Sequence, residues 1–471
     1  MKQKLLAWQE KFCNLLKISD LHDGRFNQIM NEVSQLNRNS MLNGAISEAY
    51  SRLEDANPKS LARHRAALAS LPGGNTRAAM YYPPFPIAFV GGSGCRVTDL
   101  DGHELVDLIS EYSSGLYGHS DPVIAAAQKA VIDGGLSLGA PNVVEAEYAR
   151  ALVERFPAYE RVRFCNSGTE ANVMAISAAR ALTGRSKIIA MKDGYHGGVL
   201  TFAHGGSPLN LPFPFVFADY NDLEGTKALI RETGPDLAAV ILEPMMGGGG
   251  CIPASADFLE LIRTETRAVG ALMILDEVMT SRLAYRGLHG VHGIKPDLVT
   301  MGKYLGGGAS FGCFGGRAEI MDHFDPRRKG SFSHGGTFNN NLLSMAGGMA
   351  GFTRVLTEEV SKAVNAQGDR LRQGFQDLLT RFGLAATVTG RGSLMNVHFA
   401  GGPITNPAAV NAIDPRYLAL FHTEMLLRGF YIARRGMIAL SIPFGDRERE
   451  AFLDAVEDLL QVAGHLFPRA A

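Results

Sequence analysis

Five short apolar runs, each stopping at a polar or glycine-rich group, limit what this chain can fold into. They are RVRFC (161–165), KIIAM (187–191), AAVIL (238–242), ALMIL (271–275) and DLVTM (297–301), separated by stretches of helical periodicity. Runs this short and this apolar suit strands buried on both faces, and their alternation with helices marks a parallel α/β sheet. Each run leads into chemistry: Asn166-Ser167-Gly168-Thr169, Lys192-Asp193-Gly194-Tyr195-His196, Glu243-Pro244, Asp276-Glu277 and Gly302-Lys303. Ligands of open parallel sheets bind beyond the carboxyl ends of the strands, so these groups are expected to converge on one crevice.

At about 150 residues per domain, the 471 residues make two or three domains. Residues 1–40 are polar, with Leu5, Trp8, Phe12 and Leu15 at helical spacing, and read as an N-terminal helical extension. Residues 41–115 read as the first part of a small domain, 116–345 as a large sheet domain, and 346–471 as the remainder of the small α+β domain. Lys+Arg 46 against Asp+Glu 47, with no long run of either sign, argues against nucleic acid or an anionic membrane as partner. No apolar stretch approaches the ~18 residues of a bilayer span. The five cysteines stand singly without a CxxC pair, against a disulfide framework or structural zinc. A cytoplasmic protein acting on small molecules, without a metal, is the expectation. The 54 glycines follow no Gly-X-Y period and belong in turns of a folded chain.

Ser167 and Glu170 form a Ser-x-x-Glu capping box ahead of an apolar-periodic helix. A cap is a structural device by itself, but a helix N-terminus with hydroxyls is also a ready phosphate site. No G-x-x-x-x-G-K-[ST] and no strand-linked G-x-G-x-x-G occurs, which sets nucleotide folds aside. Asp276 and Lys303 lie 27 residues apart, each just after an apolar run, an interval suited to one strand-helix-strand crossover. Gly302 and Gly306-Gly307-Gly308 flank the lysine and let backbone come close to a flat ligand. A lysine that holds an aldehyde, with an aspartate for a pyridinium nitrogen, is the donor pair pyridoxal phosphate requires. A surface ion pair is the competing reading.

NSGTEAN, KDGYHGG, LEP, LDEVMTSR, DLVTMGKYLGGG and SHGGTFNNN follow one another in an order that resembles the class III, fold-type I, pyridoxal-phosphate-dependent aminotransferases. Within them the chain is most similar to the glutamate-1-semialdehyde aminomutase-like branch that holds the β-amino acid aminotransferases, from about residue 45 to about 465. The resemblance implies a large domain with a mainly parallel seven-stranded sheet flanked by helices, plus a smaller α+β domain. It implies that Lys303 binds the cofactor covalently, that Asp276 faces the pyridine nitrogen, and that Val278 and Tyr195 cover the two ring faces. Ser167, Gly168 and Thr169 would form the phosphate cup, Glu243 would lie near the ring, and His196 would support the YHG turn. Thr337 would reach the phosphate in a sister subunit, making a homodimer with shared sites.

Substrate recognition is read at Arg77 in NTRAAM and Arg435 in YIARRGM, both matching carboxylate-binding arginines of the β-amino acid enzymes, with Arg434 leaving the register open. The arginine fork suits a carboxylate because it can bind both oxygens. Met80, Tyr82, Phe85 and Tyr112 are candidates for an apolar wall, or for core. The resemblance implies amino-group exchange between a β-amino acid donor and an α-keto acid such as pyruvate or 2-oxoglutarate. An aminomutase is the nearest alternative. NTR replaces the aminomutases' longer stretch before this arginine, and SEYSSGLYGH lacks the tryptophan often found in their corresponding segment. A racemase of the same fold, and a non-catalytic or carrier-docked protein, also stay open.

Overall fold

The structure, a computed structural model, describes residues 23–470, with side chains from residue 39 onward except at residue 204. The stripe of Leu5, Trp8, Phe12 and Leu15 lies outside that range. A helix over Asp23–Ala56 passes position 40 without a break. It lies on the helix Pro415–Leu427, where Arg416 donates to Asn39 Oδ1 at 2.8 Å and Asn43 Oδ1 at 3.0 Å, and Arg52 pairs with Glu424. The next helix, Pro58–Ala67, opens on proline, whose missing N–H no helix needs at that position.

Strands β1 (Phe89–Ser93), β2 (Arg96–Asp99) and β3 (Glu104–Asp107) form an antiparallel meander. The large sheet then takes β4 (Arg161–Cys165), β5 (Lys187–Met191), β6 (Phe215–Ala218) and β7 (Leu237–Leu242). A two-strand hairpin, β8 (Met245–Met246) and β9 (Ile252–Pro253), interrupts it before β10 (Leu272–Asp276), β11 (Leu298–Gly302) and β12 (Gly312–Gly316). Its order is β4-β12-β11-β10-β7-β5-β6, and only β12 runs against the others. This is the expected mainly parallel seven-stranded sheet. The five apolar runs are five of its strands, and β7 is buried at every residue.

Beta-strand β12 shows no apolar run because its sequence is GCFGG. A Cβ at Gly312, Gly315 or Gly316 would collide with the carbonyl oxygen of Ser167, Arg161 or Asp297 respectively. Side chains are excluded there by backbone proximity, so the strand cannot carry a hydrophobic pattern.

The small domain closes through strands far apart in sequence. β13 (Thr387–Arg391), β14 (Leu394–His398) and β16 (Met437–Ala439) form one antiparallel sheet, while β15 (Phe430–Tyr431) joins β3 in parallel. The amphipathic helices Glu358–Arg381 and Asp446–Ala463 cover this domain, packing Phe375 against Phe452. Among the described residues no helix is long and apolar enough to cross a membrane, and Cys95, Cys165, Cys251 and Cys313 are buried free thiols.

Asp297 staples the sheet where β11 begins. Its carboxylate accepts from Met273 N at 2.8 Å, buried Arg263 at 2.8 Å and Arg317 at 2.7 Å. Removing a carboxylate from a buried pair leaves the guanidinium uncompensated. Asp297→Ala is expected to cost about 3–5 kcal/mol, seen as a lower urea midpoint with the cofactor-free chain.

Candidate active site

Asp276 ends β10 with its carboxylate buried. Oδ2 accepts from Asn172 Nδ2 and from His196 Nδ1, each at 2.7 Å, and Oδ1 accepts from Val278 N at 2.9 Å. Asn172 also donates to the His196 carbonyl at 2.9 Å, and its Oδ1 receives the Thr300 hydroxyl at 2.6 Å. Burial pulls the His196 imidazole toward neutrality, but the bond to Asp276 and the charges of Asp276 and Glu243 prevail, and its pKa is raised. This donor set fixes the carboxylate's orientation, which a partner for a protonated ring nitrogen needs.

Lys303 follows β11 with φ +57°, a left-handed conformation unusual for a non-glycine residue. Nζ donates to the Tyr112 carbonyl at 2.7 Å and to Ser113 Oγ at 3.1 Å. Burial, then the Arg435 charge, push its pKa down to about 8 against the pull of Asp276 and Glu243. Its acceptors belong to a second unusual element, since Ser110, Glu111, Tyr112 and Ser113 have φ of +45°, +52°, +51° and +74°. Each left-handed non-glycine residue costs roughly 1–2 kcal/mol. Asp107 Oδ1 offsets this by accepting from Ile109 N and Ser110 N, both at 2.9 Å, while Ser110 Oγ donates to Ala439 O at 2.9 Å.

The helix Gly168–Thr183 starts beside this pair, capped by Ser167 Oγ, which accepts from Glu170 N at 3.2 Å. A Cβ on Gly168 would stand 2.6 Å from Val278 Cγ1, and one on Gly197 would strike the Thr169 side chain. Ser167, Gly168, Thr169 and Val278 are thus brought together. Tyr195 is 51% exposed, while its N–H donates to Glu243 Oε1 at 3.1 Å. Buried Glu243 accepts on Oε2 from Gly247 N at 2.9 Å, and burial raises its pKa over the opposing effect of His196. The run Gly247 to Gly250 therefore has work: it closes on Glu243, and a Cβ at Gly248 would press to 3.3 Å on Tyr195.

Both arginines reach one ring. The Arg435 guanidinium lies 5.0 Å and that of Arg77 5.8 Å from the centre of Tyr112, whose hydroxyl donates to Ala79 O at 2.6 Å. Arg77 also pairs with exposed Glu111, a partner the sequence did not signal. Arg435 and not Arg434 faces this cluster. Tyr82 is a core residue: it is buried, accepts from Ile87 N at 2.9 Å and stands edge-on to His422 with centroids 4.5 Å apart. Phe85 is likewise fully buried, while Met80 and Tyr112 are half-buried. Thr337 is exposed, beside exposed Phe338, in a segment that Asn339 ties to Asn166 at 3.0 Å, next to Ser167.

Asn172, Thr300, Ser113, Glu111 and Arg282 escaped the sequence reading. All five lie inside quoted motifs, Asn172 in NSGTEAN, Thr300 in DLVTMGKYLGGG, Arg282 in LDEVMTSR, and Glu111 and Ser113 in SEYSSGLYGH, but residue type alone assigns them no role there. The residues suit pyridoxal phosphate on their chemistry: an amine, a fixed carboxylate on the neighbouring strand, and a glycine cradle at a helix N-terminus where phosphate is favoured.

The profile of the family described as aminotransferase class-III matches residues 78–436. A β-phenylalanine transaminase from Variovorax paradoxus is 45% identical over 426 residues, covering 90% of this chain and 98% of its own. A glutamate-1-semialdehyde 2,1-aminomutase from Desulforudis audaxviator is 36% identical over 395 residues, covering 80% and 91%. A solved β-phenylalanine aminotransferase from Variovorax paradoxus superposes with a TM-score of 0.90 at 44% identity, over 91% of this chain and all of that one.

Two outcomes follow from the geometry. Gly168→Ala, driven into Val278, is expected to weaken cofactor binding about tenfold, as an overpacking cost of ~1–3 kcal/mol implies, measured by fluorescence titration. Lys303 in the cofactor-free chain should acylate with a midpoint at about pH 8, and Arg435→Met should move that midpoint upward, because removing a positive neighbour favours the ammonium.

Proposed function

The chain belongs to the class III aminotransferases, enzymes that use pyridoxal phosphate, and on that footing we propose that it moves an amino group from a β-amino acid to an α-keto acid. When bound, the cofactor supplies an electrophilic aldehyde and an electron-withdrawing ring. Asp276, held by Asn172 and His196, keeps the ring nitrogen protonated. Ser167, Gly168 and Thr169 would hold the phosphate, and Val278 and Tyr195 would flank the ring. Lys303 Nζ would hold the cofactor's aldehyde carbon at rest and, once the donor's amine has taken its place there, would be free to accept the proton from the donor's amine-bearing carbon, a task suited to an amine with a pKa of about 8.

The observation that carries the substrate assignment is the meeting of Arg77 and Arg435 on the ring of Tyr112, whose carbonyl receives Lys303 Nζ. In a β-amino acid the carboxylate stands one carbon farther from the reacting centre than in an α-keto acid. Two guanidinium groups around one wall offer two places for it, so one pocket serves both half-reactions. Similarity to a β-phenylalanine transaminase supports an aromatic donor; the acceptor in this proposal is an α-keto acid such as pyruvate or 2-oxoglutarate.

The proposal includes a homodimer in which Thr337 of the partner subunit completes the phosphate site. Exposed Phe338, Leu136, Leu138 and Val143 support it, for Asn340 ties their two segments together through Ala140 O at 3.3 Å and Glu145 at 3.1 Å. Four buried free thiols support a cytoplasmic setting.

3-Amino-3-phenylpropanoate added without acceptor should convert the cofactor to its amine form and release one equivalent of keto acid per site. Racemisation of the donor without that conversion would instead make the protein a racemase. Arg77→Met or Arg435→Met should raise KM for donor or acceptor about tenfold or more, the worth of a charged hydrogen bond, in steady-state kinetics. Reduction with borohydride should leave the cofactor's mass on the peptide containing Lys303, and on none in Lys303→Ala.

A further inference from the structure

Arg282 is among the largest fully buried side chains, 1% exposed, and among the described residues it pairs with no carboxylate. Its guanidinium is shared among three acceptors: Nε donates to Ser393 Oγ at 3.2 Å, Nη1 to Ser113 O at 3.0 Å, and Nη2 to Leu440 O. These belong to three separate parts of the chain: the turn between β13 and β14, the left-handed turn Ser110–Ser113, and the residue after β16. Burial without a counter-charge brings the guanidinium down to about 9, against the opposing influence of Tyr304 and Tyr117. Replacing such a residue by an apolar one of similar volume removes a desolvation burden, so stability alone does not require it.

What the guanidinium grips suggests its use. Ser113 is the last residue of the left-handed turn, and the same residue presents Oγ to Lys303 Nζ at 3.1 Å, next to the Tyr112 carbonyl at 2.7 Å. The turn also carries Glu111, which pairs with Arg77, and the Tyr112 ring under Arg435. The turn is closed by Gly115 N donating to Ser110 O at 2.7 Å. The planar fork of arginine can bond in three directions at once, which an ammonium on a flexible stem does not reproduce.

We propose that Arg282 is a positioning residue for Lys303, which holds the Ser110–Ser113 turn in register against the amine through Ser113 and places an uncompensated positive charge behind it. The proposal rests on Lys303 being the reactive amine of the site. Around Lys303 the charged groups are Arg435, Asp276, Glu243 and Arg282. Asp276 and Glu243 favour the ammonium; Arg435 and Arg282 oppose it. Loss of the Arg282 charge therefore moves the Lys303 titration to higher pH.

The test reads Lys303 and the turn directly in the full-length, cofactor-free chain, so it stands whether or not the substrate assignment does. Lys303 acylation by acetic anhydride over a pH series is followed on its own peptide by mass spectrometry, with hydrogen exchange at residues 110–115 alongside. In Arg282→Met the acylation midpoint should rise by a fraction of a pH unit, less than in Arg435→Met, and exchange at Gly115 should quicken about tenfold or more. Arg282→Lys should keep the midpoint near its original value, since the charge remains, while the turn still exchanges faster. If Arg282→Met does not fold, Ser393→Ala removes one acceptor and should also quicken exchange at the turn, and the lysine variant reads the rest. A folded Arg282→Met with unchanged midpoint and exchange would overturn the proposal, as would unchanged exchange in both Arg282→Lys and Ser393→Ala.

Discussion

A carboxylate buried at the end of a strand is costly unless donors surround it, and the site is built around how Asp276 finds them. Asn172 comes from the helix after β4, His196 from the turn after β5, and Val278 N from the turn after β10 itself. One carboxylate thus ties three strand ends together. The same contacts that satisfy the charge set the spacing between the helix N-terminus, the Tyr195 turn and Lys303. Thr300 on β11 completes the chain by holding Asn172 in the orientation that donates to the carboxylate.

Close backbone approach is the second constraint. Gly168 sits under Val278, Gly197 under Thr169, and Gly312 under the Ser167 carbonyl, each where a methyl group would displace its neighbour. These glycines lie where the turn after β4 meets the turns after β5 and β10 and the antiparallel strand β12. Electrostatics then divides the site. Asp276, Glu243 and His196 lie together on one side, and Arg77, Arg435 and Arg282 gather with Tyr112 on the other, with Lys303 between.

The large sheet was legible because strands buried on both faces must be continuously apolar, and five of its seven announced themselves in that way. β6 is a four-residue strand, FVFA, at the sheet edge, and β12 is mostly glycine; neither carries enough pattern to stand out. Lys303, Asp276 and the Ser167–Thr169 turn were legible because each follows an apolar run. Tyr82 illustrates the opposite case. It lies in an aromatic segment that suits a pocket wall, yet Ile87 N and His422 draw it into the core, and nothing local distinguishes the two fates.

By itself the sequence determined the strand-helix alternation, the chemical groups at the strand ends and the family, because these depend on residue type and on spacing along one short stretch of chain. Only the tertiary structure decided that Arg435 and not Arg434 turns toward the lysine, that Glu111 meets Arg77, and that Ser110–Ser113 winds left-handed beneath Lys303. Those outcomes join residues that are not neighbours in the chain, 34 positions apart for Arg77 and Glu111 and 191 for Lys303 and Tyr112, through strand register and a buried guanidinium. A linear pattern cannot encode which of two adjacent side chains faces inward until β15 and β16 have found their partners.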